Sequence, residues 1–250
     1  MTTISGFTFI HNALHGGYPI VEAIAAVRPY VGEIVVVDME SDDGTRELLE
    51  NLDVRILDGY WEPGYPGRCL ANAHALHKQC AGDVIVHFEA DEVFSRRLID
   101  ACIWYVRDYD ALNLSVWRLQ VEQNFQRIRW YPELVHRVFP RLAGTIKQGH
   151  TTNHHGNAAG VHPAYGFLWD VTNCFRDNWR GRVEQQAELW GSTPSLLIVP
   201  LHAKHALFPD SVDEFLAQPH WTWRATPLDI PDILKPLVGK TRYEPDVQKS

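Results

Sequence analysis

The sequence predicts an α/β fold: a mostly parallel sheet flanked by helices, followed by an irregular C-terminal region. Three observations predict it. Strand-like and helix-like segments alternate at short spacing over residues 1–120, the pattern of right-handed βαβ units. Two strand-like runs, EIVVVD (Glu33–Asp38) and DVIVHF (Asp83–Phe88), carry unbroken apolar stretches, as strands covered on both faces do. Both runs lead into acids, Asp38 and then Glu89, Asp91 and Glu92. In parallel sheets ligands sit beyond the carboxyl ends of strands.

Each element follows in order. Ile4–Ile10 is short, apolar, β-branched and aromatic, and reads as the opening strand. Pro19 to Tyr30 places Ile20, Val21, Ile24 and Val27 at helical spacing, with Pro19 suited to a first turn. After the strand Glu33–Asp38, residues Asp43 to Asn51 form a short helix with acids and Thr45 near its start. Val54 to Leu57 is a strand, Gly67 to Cys80 a helix, and Asp83–Phe88 a further buried strand. Ser95 to Arg107 is an amphipathic helix with Ser95 as its N-cap. Asp110 to Leu119 returns to strand. Residues 121–205 are rich in histidine, glycine and tryptophan and weakly periodic. Residues 206–250 hold six of the fifteen prolines and read as an irregular arm with one or two short helices.

Composition narrows the function classes. The chain has 250 residues, 45% hydrophobic and 22% charged, which suits one sizeable core. The 23 basic and 31 acidic residues give a net charge of −8. A broad phosphate-binding face is therefore not expected, and nucleic acid is not an expected partner. A small basic pocket for one nucleotide remains open. The four cysteines, Cys69, Cys80, Cys102 and Cys174, lack CxxC spacing, which disfavours a thiolate zinc site and a disulfide framework. The opening MTTISGFTFI has no charged n-region and no secretory apolar core. No window approaches about 18 unbroken apolar residues. The expectation is a soluble cytoplasmic protein without an integral membrane segment.

The strongest local motif is HFEADEV, His87 to Val93, where three carboxylates fall within four residues. Alternation along an extended segment puts Glu89 and Asp91 on one face, with small Ala90 between them. Paired carboxylates repel unless water or a cation separates them. All-oxygen ligands suit Mg²⁺ or Mn²⁺ with positions left for diphosphate oxygens. A solvated acidic strand end before a helix is the simpler reading of the same residues. The second motif is VVVDMESDDGTRELL, Val35 to Leu49. Ser41, Asp42 and Asp43 there suit helix capping. Capping does not account for Asp38, which can accept hydrogen bonds from a nucleotide's base or ribose.

FTFIHN (Phe7 to Asn12), VDMESDDGT (Val37 to Thr45) and EADE (Glu89 to Glu92), in that order, resemble glycosyltransferase family 2 of the GT-A fold. The resemblance covers about the first 120 residues and fades beyond them. It implies that residues 1–120 are the nucleotide-sugar-binding half of a GT-A domain, 121–205 its acceptor-side half and 206–250 a proline-rich arm. Phe9 and His11 fall where the family holds the nucleobase, and Asp38 where it hydrogen-bonds the base. Arg68 lies in the segment that often places a basic residue near the diphosphate. Ala90 and Glu89 belong to the nucleotide site, Glu89 facing the ribose or the metal. Asp91 is then the main protein ligand of Mn²⁺ or Mg²⁺. The sequence departs from the family pattern at Met39, which stands where a second Asp is usual, and at Glu89, which replaces the first Asp of DxD.

The family reaction also needs a base for the acceptor hydroxyl, and often a histidine ligand. Asp170, in GFLWDVTN, is the first choice as base or second ligand, and Glu133, in WYPELVHR, the other candidate base. His154, His155, His162, His202 and His205 are further candidates, each more simply read as a surface or core residue. His74 and His77 share a helix face but lack a third ligand. Among tryptophans, Trp169 and Trp221 are the candidates for stacking on an acceptor sugar. The implied reaction is inverting, metal-dependent transfer from a nucleotide sugar, UDP-linked, to a hydroxyl acceptor. A nucleotide-sugar hydrolase or nucleotidyltransferase would share the diphosphate site. A non-catalytic nucleotide-sugar-binding module would share the nucleotide site, and Met39 and Glu89 leave that alternative open.

Overall fold

A computed structural model describes residues 2–122, 125, 127–128, 133–142, 145–148, 151–154, 159–189, 224–225 and 230–246. The first half alternates as the sequence predicts: β1 (Ile4–Ile10), α1 (Ala13–Gly16), α2 (Ile20–Val27), β2 (Glu33–Asp38), α3 (Thr45–Glu50), β3 (Arg55–Asp58), α4 (Pro66–Ala75) and β4 (Val84–His87). Then follow β5 (Glu92–Phe94), α5 (Arg96–Tyr109), β6 (Leu114–Glu122), β7 (Arg127–Ile128), β8 (Glu133–Pro140), β9 (Thr145–Gln148) and β10 (Thr151–His154). The remaining described elements are β11 (Ala159–Gly160), β12 (Leu168–Asn173), α6 (Trp179–Leu189) and β13 (Arg224–Ala225).

The fold is α/β. Strands β3, β2, β1 and β4 lie side by side, all parallel. Beyond β4 the sheet turns mixed: β8 is antiparallel to both β4 and β6. On the other side, β12 runs parallel to β6 and antiparallel to β5. The loops after β1, β2 and β4 therefore leave from the same end of the sheet. Gly82 makes the tight entry into β4: a Cβ there would fall 2.6 Å from the Ser5 nitrogen.

Two apolar clusters explain why the strands show no alternation. Ile4, Ile10, Ile34, Val36, Val84 and Val86 belong to the cluster under α2 and α5. Phe7, Phe9, Val35, Val37 and Ile85 belong to the opposite cluster, with Cys69, Leu70 and Ala73 of α4. Every second residue thus faces one core and its neighbour the other. Each such Val, Ile or Phe contributes about 1.5–3 kcal/mol by burial.

Several boundaries differ from expectation for local reasons. The helix predicted over Asp43 to Asn51 starts at Thr45, because Gly44 adopts φ +92° and Asp43 Oδ1 instead accepts from the Thr45 N–H at 3.0 Å. The predicted helix Pro19 to Tyr30 tightens to a 3-10 turn at Arg28. Ser95 sits at the N-cap of α5 in extended conformation but makes no side-chain capping bond. Strand β5 was not predicted; its three residues owe their conformation to pairing with β12, a non-local partner. In the arm, the described part contains a 3-10 turn at Lys235–Leu237. All four cysteines are buried and none is in a disulfide, and burial pushes the Cys80 and Cys102 thiols up to about 12. Among the described residues no helix is long and apolar enough to cross a membrane.

Candidate functional site

The loops leaving β1 and β2 are laced together. Asn12 and Asp42 exchange hydrogen bonds: the Asn12 amide donates to Asp42 Oδ1 at 2.8 Å, and the Asp42 N–H donates to Asn12 Oδ1 at 2.8 Å. Ser41 Oγ accepts from the Asn12 N–H at 2.9 Å. Asn12 and Glu40 both hold positive φ, 49° and 56°, a conformation that costs energy and persists only where neighbours enforce it. So the capping reading of Ser41 and Asp42 is incomplete, because these side chains fasten the β2 loop to the β1 loop.

Asp38 closes β2 and is 3% exposed. Its Oδ1 accepts from the Ser41 N–H at 3.2 Å, and its Oδ2 meets Arg46 at 3.3 Å. Arg46 also reaches Asp58 at 2.7 Å, which raises the guanidinium pKa.

Phe9 and His11 lie on one face of β1, two residues apart. Phe9 is built into the core, stacked on His87 at 5.7 Å between ring centroids, and 9% exposed. His11 lies just past the end of the strand. Its ring stacks on Trp61 at 3.9 Å and 12°, and its Nδ1 is 2.6 Å from the Met39 carbonyl oxygen. The flat, half-buried side chain at this strand end is thus His11, with Trp61 beside it. Trp61 is a residue the sequence reading missed. The signal was the aromatic density of GYWEPGY within a Gly/Pro loop.

The acidic motif forms a charge network. Glu92 is 1% exposed and paired with Arg137, whose Nη2 and Nε donate to its two oxygens at 2.6 and 2.7 Å. Arg137 also reaches Glu89 at 3.3 Å, and Arg118 reaches Glu92 at 3.4 Å. Burial opposes the charge on Arg137, yet Glu92 and Glu89 raise its pKa above the ordinary value. Glu92 Oε2 also accepts from the Glu89 N–H at 3.0 Å, which fixes the turn around Ala90. The repulsion expected within EADE is eased at Glu89 and Glu92 by Arg137, with Arg118 adding to it at Glu92.

Asp91 pairs with a different arginine, Arg182 of α6, at 3.2 Å. Burial and then the charge of Asp170 push its carboxyl up to about 7, with Glu89 and Glu92 adding to the shift and Arg182 opposing it. Asp170 lies on β12, opposite Glu92 of β5. Its Oδ2 accepts from Gln120 at 3.1 Å and lies 3.7 Å from Arg118. The backbone joins the two acids as well: the Val171 N–H donates to the Asp91 carbonyl at 2.9 Å. Among the described residues no group of three or more His, Cys, Asp or Glu side chains is spaced to hold a metal ion.

Helix α6 ties the two ends together. Arg182 meets Asp91, and its guanidinium lies over the Tyr18 ring at 5.0 Å. Gln185 donates to the Asn12 carbonyl, and Glu184 faces His15 at 3.4 Å. Glu188 accepts from Trp61 Nε1 at 3.0 Å, and the Gly64 N–H donates to the Glu188 carbonyl at 3.1 Å. Close contact is enforced at Gly181, where a Cβ would fall 2.5 Å from the His15 carbonyl oxygen.

Other candidates lie elsewhere. Arg68 is exposed on α4, paired with Glu62 at 2.9 Å and stacked over Tyr65, with no contact to the acidic network. Trp169 is 2% exposed in the main core. Successive strand residues face opposite ways, so Trp169 points away from Asp170. It walls a cavity of about 950 Å³ with Phe94 and Ile233, and its rings offer no open face to a sugar beside Asp170. Ala90 is buried between its acidic neighbours. The backbone of Glu133 pairs with Arg118 at the start of β8; its side chain lies outside the described residues. Trp221, His155, His202 and His205 also lie outside them, as does the side chain of His154. His162 is exposed and caps a 3-10 turn by accepting from the Ala164 N–H. His74 and His77 are core residues packed with His87 and Phe139.

No family model matches the chain. An uncharacterized glycosyltransferase of Rickettsia felis is 28% identical over 155 residues, covering 58% of this chain and 52% of that protein. The chain thus spans about half the length of this relative. Among solved structures, S. aureus TarS in complex with UDP-GlcNAc is 18% identical over 48% of this chain and 34% of its own, with a TM-score of 0.34. Glucosyl-3-phosphoglycerate synthase from Mycobacterium tuberculosis, with Mn²⁺, UDP and phosphoglyceric acid, is 19% identical over 48% and 43%, with a TM-score of 0.35. Scores this low carry no argument about this chain.

Proposed function

We propose that the chain is a glycosyltransferase that moves a sugar from a UDP-linked donor to a hydroxyl acceptor with inversion, aided by a divalent cation. One observation carries the reading. A stacked His11–Trp61 pair and Asp91 are tied to one helix at one end of the sheet, where the strand-end carboxylate Asp38 also lies and Asp170 is near enough to raise the Asp91 pKa. Arg182 and Glu188, which hold the two extremes, are separated by about 9 Å of helix rise, roughly the span from a nucleobase to its β-phosphate. The likeness to the Rickettsia glycosyltransferase supports the same class.

Asp91 is the side chain that would hold a hard cation, with the donor's diphosphate oxygens supplying further ligands. Asp91 supplies carboxylate oxygen, and burial beside Asp170 disfavours its charge in a way a cation would relieve. When bound, Mn²⁺ or Mg²⁺ would neutralise charge developing on the leaving diphosphate. In this reading His11 and Trp61 hold the base, and Asp38 its polar edge. Glu89, oriented by Arg137, faces the ribose. Asp170 accepts the acceptor hydroxyl's proton, its carboxylate oriented by Gln120 and Arg118.

The test is UDP release from a panel of UDP-sugars with sugar acceptors, with Mn²⁺ or with chelator. Wild type should turn over only with the cation. Asp91→Asn should lose about a hundredfold or more while keeping the native circular dichroism spectrum. Full activity in Asp91→Asn would remove the cation assignment. Acceptor-independent release of free sugar would favour a hydrolase.

A further inference from the structure

Arg182 has more hydrogen-bonding capacity than the described residues around it use. The residue is 8% exposed, and its side chain comes from the second turn of α6. Nη2 reaches Asp91 at 3.2 Å. Nη1 is buried and has no hydrogen-bond partner among the described residues. A guanidinium carries five donors in a planar fork suited to phosphate. A buried donor left unpaired costs free energy, and residues with that cost merit a functional account. The Tyr18 ring beneath the guanidinium, 5.0 Å from its centre, favours the cation without using its N–H groups. Gly181, pressed against His15, and Gln185, bonded to the Asn12 carbonyl, keep this turn of α6 at the loop after β1.

The geometry points to Arg182 as a binding residue for the donor's diphosphate, stored on Asp91 until a cation claims that carboxylate. The inference rests on the donor-site reading above and adds a residue and an order of events to it. A cation and the guanidinium compete for the Asp91 carboxylate. Once the cation binds, the guanidinium is left with its fork free beside two positive charges, and an anion is the partner that balances them. The same arrangement keeps Asp91 compensated before the donor arrives. A purely structural Arg182–Asp91 pair would leave Nη1 unused in every state.

The test is calorimetric binding of inorganic pyrophosphate, UDP and uridine to the full chain, with Mn²⁺ and with chelator, for wild type, Arg182→Gln and Asp91→Asn. With Mn²⁺, Arg182→Gln should lose roughly tenfold to a hundredfold in affinity for pyrophosphate and UDP, with uridine affinity unchanged. With chelator, Asp91→Asn should bind pyrophosphate several-fold tighter than wild type does, because its guanidinium is released. The second arm keeps Arg182 and does not depend on Arg182→Gln folding. If wild type binds UDP with Mn²⁺ and neither variant changes pyrophosphate affinity as described, Arg182 is a structural partner of Asp91 and the inference fails alone. If wild type binds none of the three ligands, the donor-site reading fails with it.

Discussion

The Arg137 guanidinium is buried, at 1% side-chain exposure, against the equally buried Glu92, and it holds Glu92 with two bonds and Glu89 with a third. Buried pairs of this kind add little net stability over an apolar substitute, but removing one partner strands the other. Arg137→Met should therefore destabilise the fold by about 3–5 kcal/mol, read as a lower midpoint in urea denaturation. The double variant Arg137→Met/Glu92→Leu should recover much of that loss. A single variant as stable as wild type would show that Glu92 and Glu89 do not depend on Arg137. The carboxylates were legible in HFEADEV, because an acid after an apolar strand stands out. Their compensation was not. Arg137 and Arg118 reach the motif from strands remote in sequence, and only register brings them there. An arginine inside the strand-like run ELVHRVFP was the available hint.

Elements explain what single residues do not. Packed between β4, β8 and α4 are His87, His136, His74 and His77, all in ring contact with Phe139. Burial lowers the pKa of His77, and of His136 to about 4. A histidine whose folded pKa lies below its unfolded value near 6.5 binds fewer protons folded than unfolded in that interval. The share of stability set by these two histidines is then constant above about pH 6.5 and falls as pH drops toward 4, while Asp91, raised to about 7, acts in the opposite sense. Between about pH 6.5 and 4, His136→Gln should therefore lose less melting temperature than wild type. An identical slope in wild type and variant would mean that other groups carry the acid sensitivity. His74 and His77 share a helix face by spacing, with no third ligand in the sequence to make them a metal site. Their packing against Phe7 and Phe139 gives the spacing a core role, which only the tertiary fold reveals. Helix α6 was similarly hidden, since its low apolar periodicity reflects contacts made through Arg182, Gln185 and Glu188 rather than through one apolar stripe.

At the scale of the molecule, the parallel half of the sheet was readable because burial on both faces writes itself as unbroken apolar runs. Strands β1 and β2 match their sequence limits residue for residue. The mixed half was less readable: β6 was anticipated over Asp110 to Leu119, but β5, β7, β11 and β13 are two or three residues long and exist through pairing alone. The site follows the same division. Asp38, His11 and Asp91 lie at ends of strongly patterned strands. Trp61, Arg182 and the arginine partners come from loops and elements that carry no local pattern. The central claim is that these pieces make one nucleotide diphosphate site. It is tested most directly by thermal shift with UDP, GDP, CDP and ADP, each with Mn²⁺ and with chelator. A ligand at about 100 times its dissociation constant adds about 2.7 kcal/mol of stability, a shift of roughly 5–10 °C in a domain of this size. The account predicts that shift for UDP with Mn²⁺ and its loss with chelator. No shift with any of the four nucleotides would contradict it.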